Sequence, residues 1–198
     1  MIHGCKLVLE NIFAQVVELV DTRDLKSLEG NFVPVQVRLW APFLSELFMY
    51  QDLFMIRALD QAKQSAAQDE VPIGCVITSD DEVISVGRNR CIEKQSPIRH
   101  AEIEAIESAC KKIGNYRLLN TSIYITLEPC HMCCMAIVHA RIKNLYFGAY
   151  EPKTGAVVSV DNLLDSKFLN HQVSYSGGHM ADASSSLMRK FFKYKRTK

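Results

Sequence analysis

Three segments of the chain have apolar residues at the three- or four-residue spacing of an amphipathic helix. The first covers residues 49–70, and its apolar positions are Leu53, Ile56, Leu59, Ala62 and Ala66. The second covers residues 100–114, where Ile103, Ile106 and Ala109 share one face and Gly114 follows, as a glycine often does just past a helix end. The third, residues 181–196, is predicted to be an amphipathic helix near the end of the chain.

Shorter β-branched runs between these helices predict strands. Residues 71–89 contain two such runs around the Ser79-Asp80-Asp81 turn, which is the pattern of a hairpin. Residues 121–127 and 144–150 are predicted strands on either side of a helix over 130–142. The order β-β-α-β-α-β predicts an α/β sandwich whose sheet is partly parallel, because parallel neighbours need crossover connections.

The first 48 residues do not share this organisation. The stretch "LENIFAQVVELV" could form a short helix, but "DTRDLKSLEGNFVPVQVRLWAP" has neither a helical nor a strand period. The overlapping stretch "VVELVDTRDLKSLEGNFVPVQV" can be read as the in-frame translation of a leucine transfer-RNA gene. An added interaction arm is the alternative. We expect residues 1–48 to be a spurious extension upstream of a native start at Met49, and residues 49–198 to form one deaminase domain, for reasons given below.

The composition excludes several classes of protein. With 198 residues and 48% hydrophobic residues the chain can bury a core. Seven cysteines is an odd number, and Lys6, Glu10 and Glu18 interrupt the first apolar run, so a secreted disulfide scaffold is disfavoured. No apolar stretch reaches the roughly 18 residues of a membrane span. We therefore expect a soluble, cytoplasmic protein with reduced thiols.

The segment "LEPCHMCCMAIVHARI" places three cysteines within five positions after Pro129. Cys130 and Cys133 form a C-x-x-C pair at a helix start, which suits either a metal site or a thioredoxin-type pair. His100, which opens an earlier helix, favours the metal, because one imidazole and two thiolates are ligands that zinc prefers. Three protein ligands leave the fourth position for water, the form of a catalytic site. Cys134 is interpreted as a buried packing thiol.

Glu102 follows His100 by two residues. On a helix that spacing is a rotation of about 200°, so Glu102 is not expected to bind the same ion. A carboxylate next to an activated water can instead take its proton and deliver it to a substrate.

The combination of H-A-E at 100–102 with P-C-x-x-C at 129–133 resembles the signature of zinc-dependent nucleobase deaminases. The flanking stretches resemble more narrowly the bacterial transfer-RNA adenosine deaminase family. These stretches, in family order and spacing, are "EVPIGCVI", "GRNR", "HAEIEAI", "LEPCHMCCMAIVHARI", "FGAYEPKTGA", "NH" at 170–171 and "FFKYKR". The chain departs from the family at Cys91, Met135 and Glu151, where proline, a small residue and aspartate are usual.

The resemblance implies a three-layer α/β/α cytidine deaminase-like fold with a mixed five-stranded sheet. It implies one Zn²⁺ per subunit on His100, Cys130 and Cys133, with Glu102 as the proton shuttle. A zinc-bound hydroxide would attack C6 of the adenosine at the wobble position of a transfer-RNA anticodon and leave inosine. Alternatives are a small-molecule deaminase of the guanine or cytosine type and a non-catalytic zinc protein that binds RNA.

The same resemblance assigns the substrate contacts and partners. Asn89 would hydrogen-bond the flipped base, and Ile73 and Ala101 would line its pocket. The C-terminal helix mixes basic and aromatic residues that suit phosphate contact and base stacking. The expected RNA contacts are Lys190, Phe192, Lys193, Lys195 and Arg196. By resemblance the protein is a homodimer. A solvated amphipathic helix is the alternative explanation of this terminus.

Overall fold

The computed structural model describes residues 41–197, with side chains from residue 52 onward. Its helices are α1 (Ala41–Ala67), α2 (Ala101–Ile113), α3 (His131–His139) and α4 (Ala181–Thr197). Its strands are β1 (Gly74–Ser79), β2 (Glu82–Arg88), β3 (Thr121–Leu127), β4 (Asn144–Ala149) and β5 (Ser174–Gly177). Most of the stretch 1–48, for which a spurious origin is expected, lies outside the described residues.

The five strands form one mixed sheet in the order β2-β1-β3-β4-β5. β1 pairs antiparallel with both β2 and β3, whereas β3–β4 and β4–β5 are parallel. The two parallel pairs are joined by crossover connections, of which the first contains α3. The predicted mixed five-stranded sheet is confirmed.

Helices cover both faces of the sheet, and the central strands β1 and β3 are buried along almost their whole length. On one face α1 packs against β1, β2 and β3, and α4 packs against β4. On the other face α2 packs against β1 and β2 and also contacts α3. The strand residues Ile77, Ile123, Ile125, Leu145 and Phe147 pack with α2 and α3, and Val76 and Tyr124 pack with α1. This confirms the three-layer α/β/α arrangement.

The sheet topology brings several chain segments to one edge. Because β2 and β3 are both antiparallel to β1, and β3 and β4 are parallel, the carboxyl ends of β2, β3 and β4 lie at the same edge. Asn89, Glu128 and Tyr150 are the residues that follow these three strand ends. Ile73, just before β1, lies at this edge too. Ligands of α/β sheets commonly bind at the carboxyl ends of strands.

The structure differs from the sequence expectation in three places. β5 was not predicted, because "SYSG" has no apolar alternation and its side chains are exposed or half-buried. α1 begins at Ala41, upstream of the predicted start at residue 49, and α3 ends at His139 rather than near residue 142.

Within the described residues, no helix has the length and apolar character needed to cross a membrane.

Candidate active site

Two helix starts meet at this edge of the sheet. His100 is the N-cap residue of α2 and Cys130 that of α3, and both have extended backbone conformations. Neither side chain caps its own helix, so both remain available for other partners. Gly87 of β2 allows the first turn of α2 to approach closely, because a Cβ at this position would overlap the carbonyl oxygen of Ala101. The sheet and the two helices therefore fix where His100 and Cys130 lie.

The side chains of His100, Cys130 and Cys133 come together at these helix starts. The Nδ1 atom of His100 lies 3.8 Å from the sulfur of Cys130 and 3.4 Å from that of Cys133. All three potential ligand atoms lie within 4.8 Å of one another. One imidazole nitrogen and two sulfurs at this separation can hold a single metal ion.

The hydrogen bonds around Cys130 and Cys133 favour the thiolate form of Cys130 and the neutral form of Cys133. A hydrogen bond from the Cys133 thiol lowers the pKa of Cys130 to about 4, although partial burial opposes this shift. The same hydrogen bond, together with burial, raises the pKa of Cys133. The hydrogen bond with Cys130 also raises the pKa of His100. The lowered pKa of Cys130 favours its thiolate form, which is the form that binds metals.

Glu102 lies in the first turn of α2 and is 3% exposed. Burial raises the pKa of its carboxyl group above the ordinary value for glutamate. Its Oε2 atom is buried and has no hydrogen-bond partner within the part of the chain that the structure describes. A buried polar atom without a partner costs free energy, so this oxygen is suited to form a hydrogen bond with a bound polar group.

Cys134 has the packing role expected from the sequence. Its side chain is fully buried in the core between the sheet and α3. Its thiol lies 3.6 Å from the carbonyl oxygen of Pro129, and it is not part of the group formed by His100, Cys130 and Cys133. Burial raises its pKa, so it stays a neutral thiol.

A cavity of about 820 Å³ opens next to His100. Its wall contains two of the three residues expected to contact the base, Ile73 and Asn89. Ala101, the third, is fully buried and is not part of this wall, but its backbone N–H donates a hydrogen bond to Asn89. The remaining lining residues are Val71, Leu127, Glu151, Pro152, Lys153, Thr154, Met188, Arg189, Phe192, Lys193 and Arg196.

The basic residues of α4 divide into two groups. Lys193 and Arg196, two of the predicted RNA contacts, line the cavity together with Phe192, and their contact with RNA stays a prediction. Lys190 instead lines a separate groove between α1 and α4, and Lys195 forms an ion pair of 2.6 Å with Asp69. Arg189, which also lines the cavity, was missed in the sequence. The helical period could have found it, because residues 189, 193 and 196 are spaced i, i+4 and i+7 and share one face.

Glu128 is a second residue that sequence reasoning missed. It is a buried carboxylate at the end of β3, and it accepts hydrogen bonds from the loop after β4. Its sequence signal is an acidic residue between an apolar strand and Pro129. Buried carboxylates require partners, so that position alone predicts a polar contact without identifying it.

Comparison with known proteins agrees with this geometry. A family model described as MafB19-like deaminase matches residues 49–196. The chain is similar to a tRNA-specific adenosine deaminase of Haemophilus influenzae, with 40% identity over 148 residues, 74% of this chain and 86% of the relative.

Two solved structures are also similar. One comes from a study of A-to-I editing by tRNA:A34 deaminases at the wobble position, with 40% identity, a TM-score of 0.66 and coverage of 68% of this chain and 97% of the other. A guanine deaminase of Nitrosomonas europaea has a TM-score of 0.60 at 21% identity, covering 71% of this chain and 83% of its own. At that identity the second likeness concerns the fold alone.

Proposed function

The chain belongs to the family of tRNA-specific adenosine deaminases, and from this premise we propose that it converts adenosine 34 of a transfer-RNA anticodon to inosine by hydrolysis. The observation that carries the proposal is the His100, Cys130 and Cys133 cluster, with the unpaired Glu102 oxygen close by in α2, beside a cavity lined by basic residues of α4. An anticodon loop offers an unpaired base that can be flipped into such a cavity at low cost.

We propose that His100, Cys130 and Cys133 hold one Zn²⁺ per subunit, because an N/S/S donor set suits zinc. When bound, zinc supplies water activated for attack on C6 of adenine. Glu102 takes a proton from the attacking water and delivers it to the departing amine, which leaves as ammonia. Its unpaired buried oxygen supports this role, because that atom can accept the proton.

The remaining residues of the cavity hold the substrate in this proposal. The NH₂ group of Asn89 donates to an acceptor on the base, and Ile73 packs against the base. Lys193, Arg196 and Arg189 contact phosphates of the anticodon loop, and Phe192 stacks on a base. Lys190 and Lys195 were also expected to contact RNA. Lys190 lies in the groove between α1 and α4 and Lys195 pairs with Asp69, and neither position supports that role.

Three further features follow from family membership as proposals. The protein acts as a homodimer, and it acts in the cytoplasm, where transfer RNA is processed. Met49 is its native start, which the family match from residue 49 supports. The mass of the protein in solution, measured by light scattering, tests the homodimer, and a mass of one subunit would contradict it.

The function is tested by incubating the zinc-loaded protein with an anticodon stem-loop that carries adenosine at position 34. We expect release of ammonia and the appearance of inosine at that position alone. Free guanine, cytosine and cytidine serve as competing substrates in parallel reactions. Deamination of these small molecules without deamination of the RNA would contradict the proposal.

A further inference from the structure

Glu128 is a buried carboxylate to which the proposed reaction gives no role. It follows β3 directly, two residues before Cys130, and is 3% exposed. A carboxylate is rarely buried to this degree unless it is hydrogen-bonded to several donors. The identity of those donors therefore indicates what Glu128 does.

The donors to Glu128 come from one segment, residues 151–159, here called the cavity loop. Its Oε2 atom accepts the backbone N–H of Glu151 at 3.0 Å and the hydroxyl of Ser159. Its Oε1 atom accepts the backbone N–H groups of Val157, Val158 and Ser159 at 3.1, 2.8 and 2.9 Å. One side chain thus holds both ends of the cavity loop.

The cavity loop forms part of the wall of the proposed substrate cavity. Glu151, Pro152, Lys153 and Thr154 line that cavity opposite residues of α4. The loop belongs to no helix or strand, so its shape depends on the partners of its backbone N–H groups. One further contact is the N–H of Ala156, which donates to the carbonyl oxygen of Pro129 at 2.9 Å.

We infer that Glu128 is a positioning residue, which holds the cavity loop in the conformation that receives the RNA and thereby determines substrate affinity. This inference rests on the proposed function. Glu128 acts through the loop and touches neither substrate nor metal. A loop that is ordered before binding loses little conformational entropy when the substrate binds, and the substrate therefore binds more tightly.

The test is Glu128→Gln in the full chain loaded with zinc. The amide oxygen of the new glutamine can still accept hydrogen bonds from the three N–H groups at residues 157–159. Its NH₂ group then faces the N–H of Glu151, and because both groups are donors, that hydrogen bond is lost. We expect KM for the stem-loop, and Kd measured by fluorescence anisotropy, to rise about tenfold while kcat changes less. Zinc content, measured by mass spectrometry, stays at the wild-type level.

A second variant tests the same inference if Glu128→Gln fails to fold. In Gly155→Ala the added Cβ overlaps the carboxylate of Glu128, so it displaces the cavity loop and keeps the charge. It should also raise KM and Kd. Glu82→Gln is the matched control, because Glu82 is an exposed glutamate on the hairpin at the far end of β1. Its KM and Kd should equal the wild-type values.

The outcomes separate this inference from the proposed function. Unchanged KM and Kd in the folded variants would overturn the inference, and so would loss of zinc at unchanged KM. A purely structural role of Glu128 would lower the fraction of active protein and leave KM unchanged. A wild-type protein that binds the stem-loop without deaminating it would overturn the proposed function, and the Kd values would still decide the role of Glu128.

Discussion

The side chain of Asn89 accepts a hydrogen bond from the backbone N–H of Ala101, with Oδ1 2.9 Å from the nitrogen. Ala101 is the first residue of α2, where backbone N–H groups have no partner within the helix. Asn89 thus replaces the cap that His100 does not provide. The contact also defines the orientation of the amide, because its oxygen is engaged and its NH₂ group remains as a donor.

Asn89→Asp separates these two roles, because it keeps the acceptor for Ala101 and removes the donor. We expect kcat/KM for the stem-loop to fall by about one to two orders of magnitude, the effect of about 1–3 kcal/mol for an unpaired polar group. Because Asn89 is buried, the new carboxylate should also lower the free energy of unfolding, measured in urea, so the kinetics are measured on the folded variant. Asn89→Ala should also lose about 1 kcal/mol of stability, because the cap is gone. Wild-type kinetics of the Asp variant would contradict a donor role for Asn89.

Replacement of Glu102 tests the proton transfer. Glu102→Ala should abolish deamination, and Glu102→Gln should reduce it by at least about 10²-fold, because neither side chain can carry the proton. Zinc content and RNA affinity should remain at wild-type levels. Glu104→Gln is the matched control, since Glu104 lies on the same helix and pairs with Arg99. Turnover retained after loss of the Glu102 carboxylate would refute its role.

The three neighbouring cysteines should differ in their effect on metal content. Cys130→Ser and Cys133→Ser should each lose most of the bound zinc and the activity, because a tetrahedral site with three protein ligands loses one of them. Cys134→Ala should keep zinc and turnover, since this thiol packs in the core and contacts Pro129. Mass spectrometry of the purified variants measures the metal. Zinc loss in the Cys134 variant alone would mean that the ligands are wrongly assigned.

The two groups of basic residues on α4 should separate in their response to salt. Lys193→Ala and Arg196→Ala should weaken stem-loop binding, and each should reduce the slope of log K against log salt concentration by about 0.7, the value for one phosphate of a single strand. Lys190→Ala should leave the slope unchanged, because Lys190 lies in the other groove. Anisotropy titrations at several salt concentrations measure the slopes. Equal changes in all three variants would contradict this division of the helix.

The proposed start at Met49 predicts that a chain beginning there has the melting temperature and turnover of the full chain. Among the residues of α1 whose side chains the structure describes, Phe54 and Met55 are buried in the core. Both remain in a chain that begins at Met49, so the truncated helix keeps these contacts. N-terminal sequencing of the natural protein should return Met49 or a residue close to it. A sequence that begins with Met1 or Ile2 would show that the upstream segment is translated.

Much of the fold and of the metal cluster was predictable because those signals are local. The helical period of residues 100–114 reflects burial of one face, and the β-branched runs of β1 and β3 reflect burial of both faces. Each of these signals lies within the sequence of one element. The spacing of Cys130 and Cys133 likewise places both sulfurs at one helix start. β5 escaped prediction because its four residues are held by pairing with β4 rather than by an apolar pattern of their own.

The amino-acid sequence by itself determined most of the helices and strands. It also singled out His100, Cys130 and Cys133 as a candidate metal-binding set and Glu102 as the carboxylate near them. The tertiary structure alone decided which face of α4 borders the cavity, that Asn89 caps α2, and that Glu128 holds a loop more than twenty residues away. These relationships join residues from different elements. They depend on the order and direction of the strands, which no local pattern of apolar and polar residues encodes.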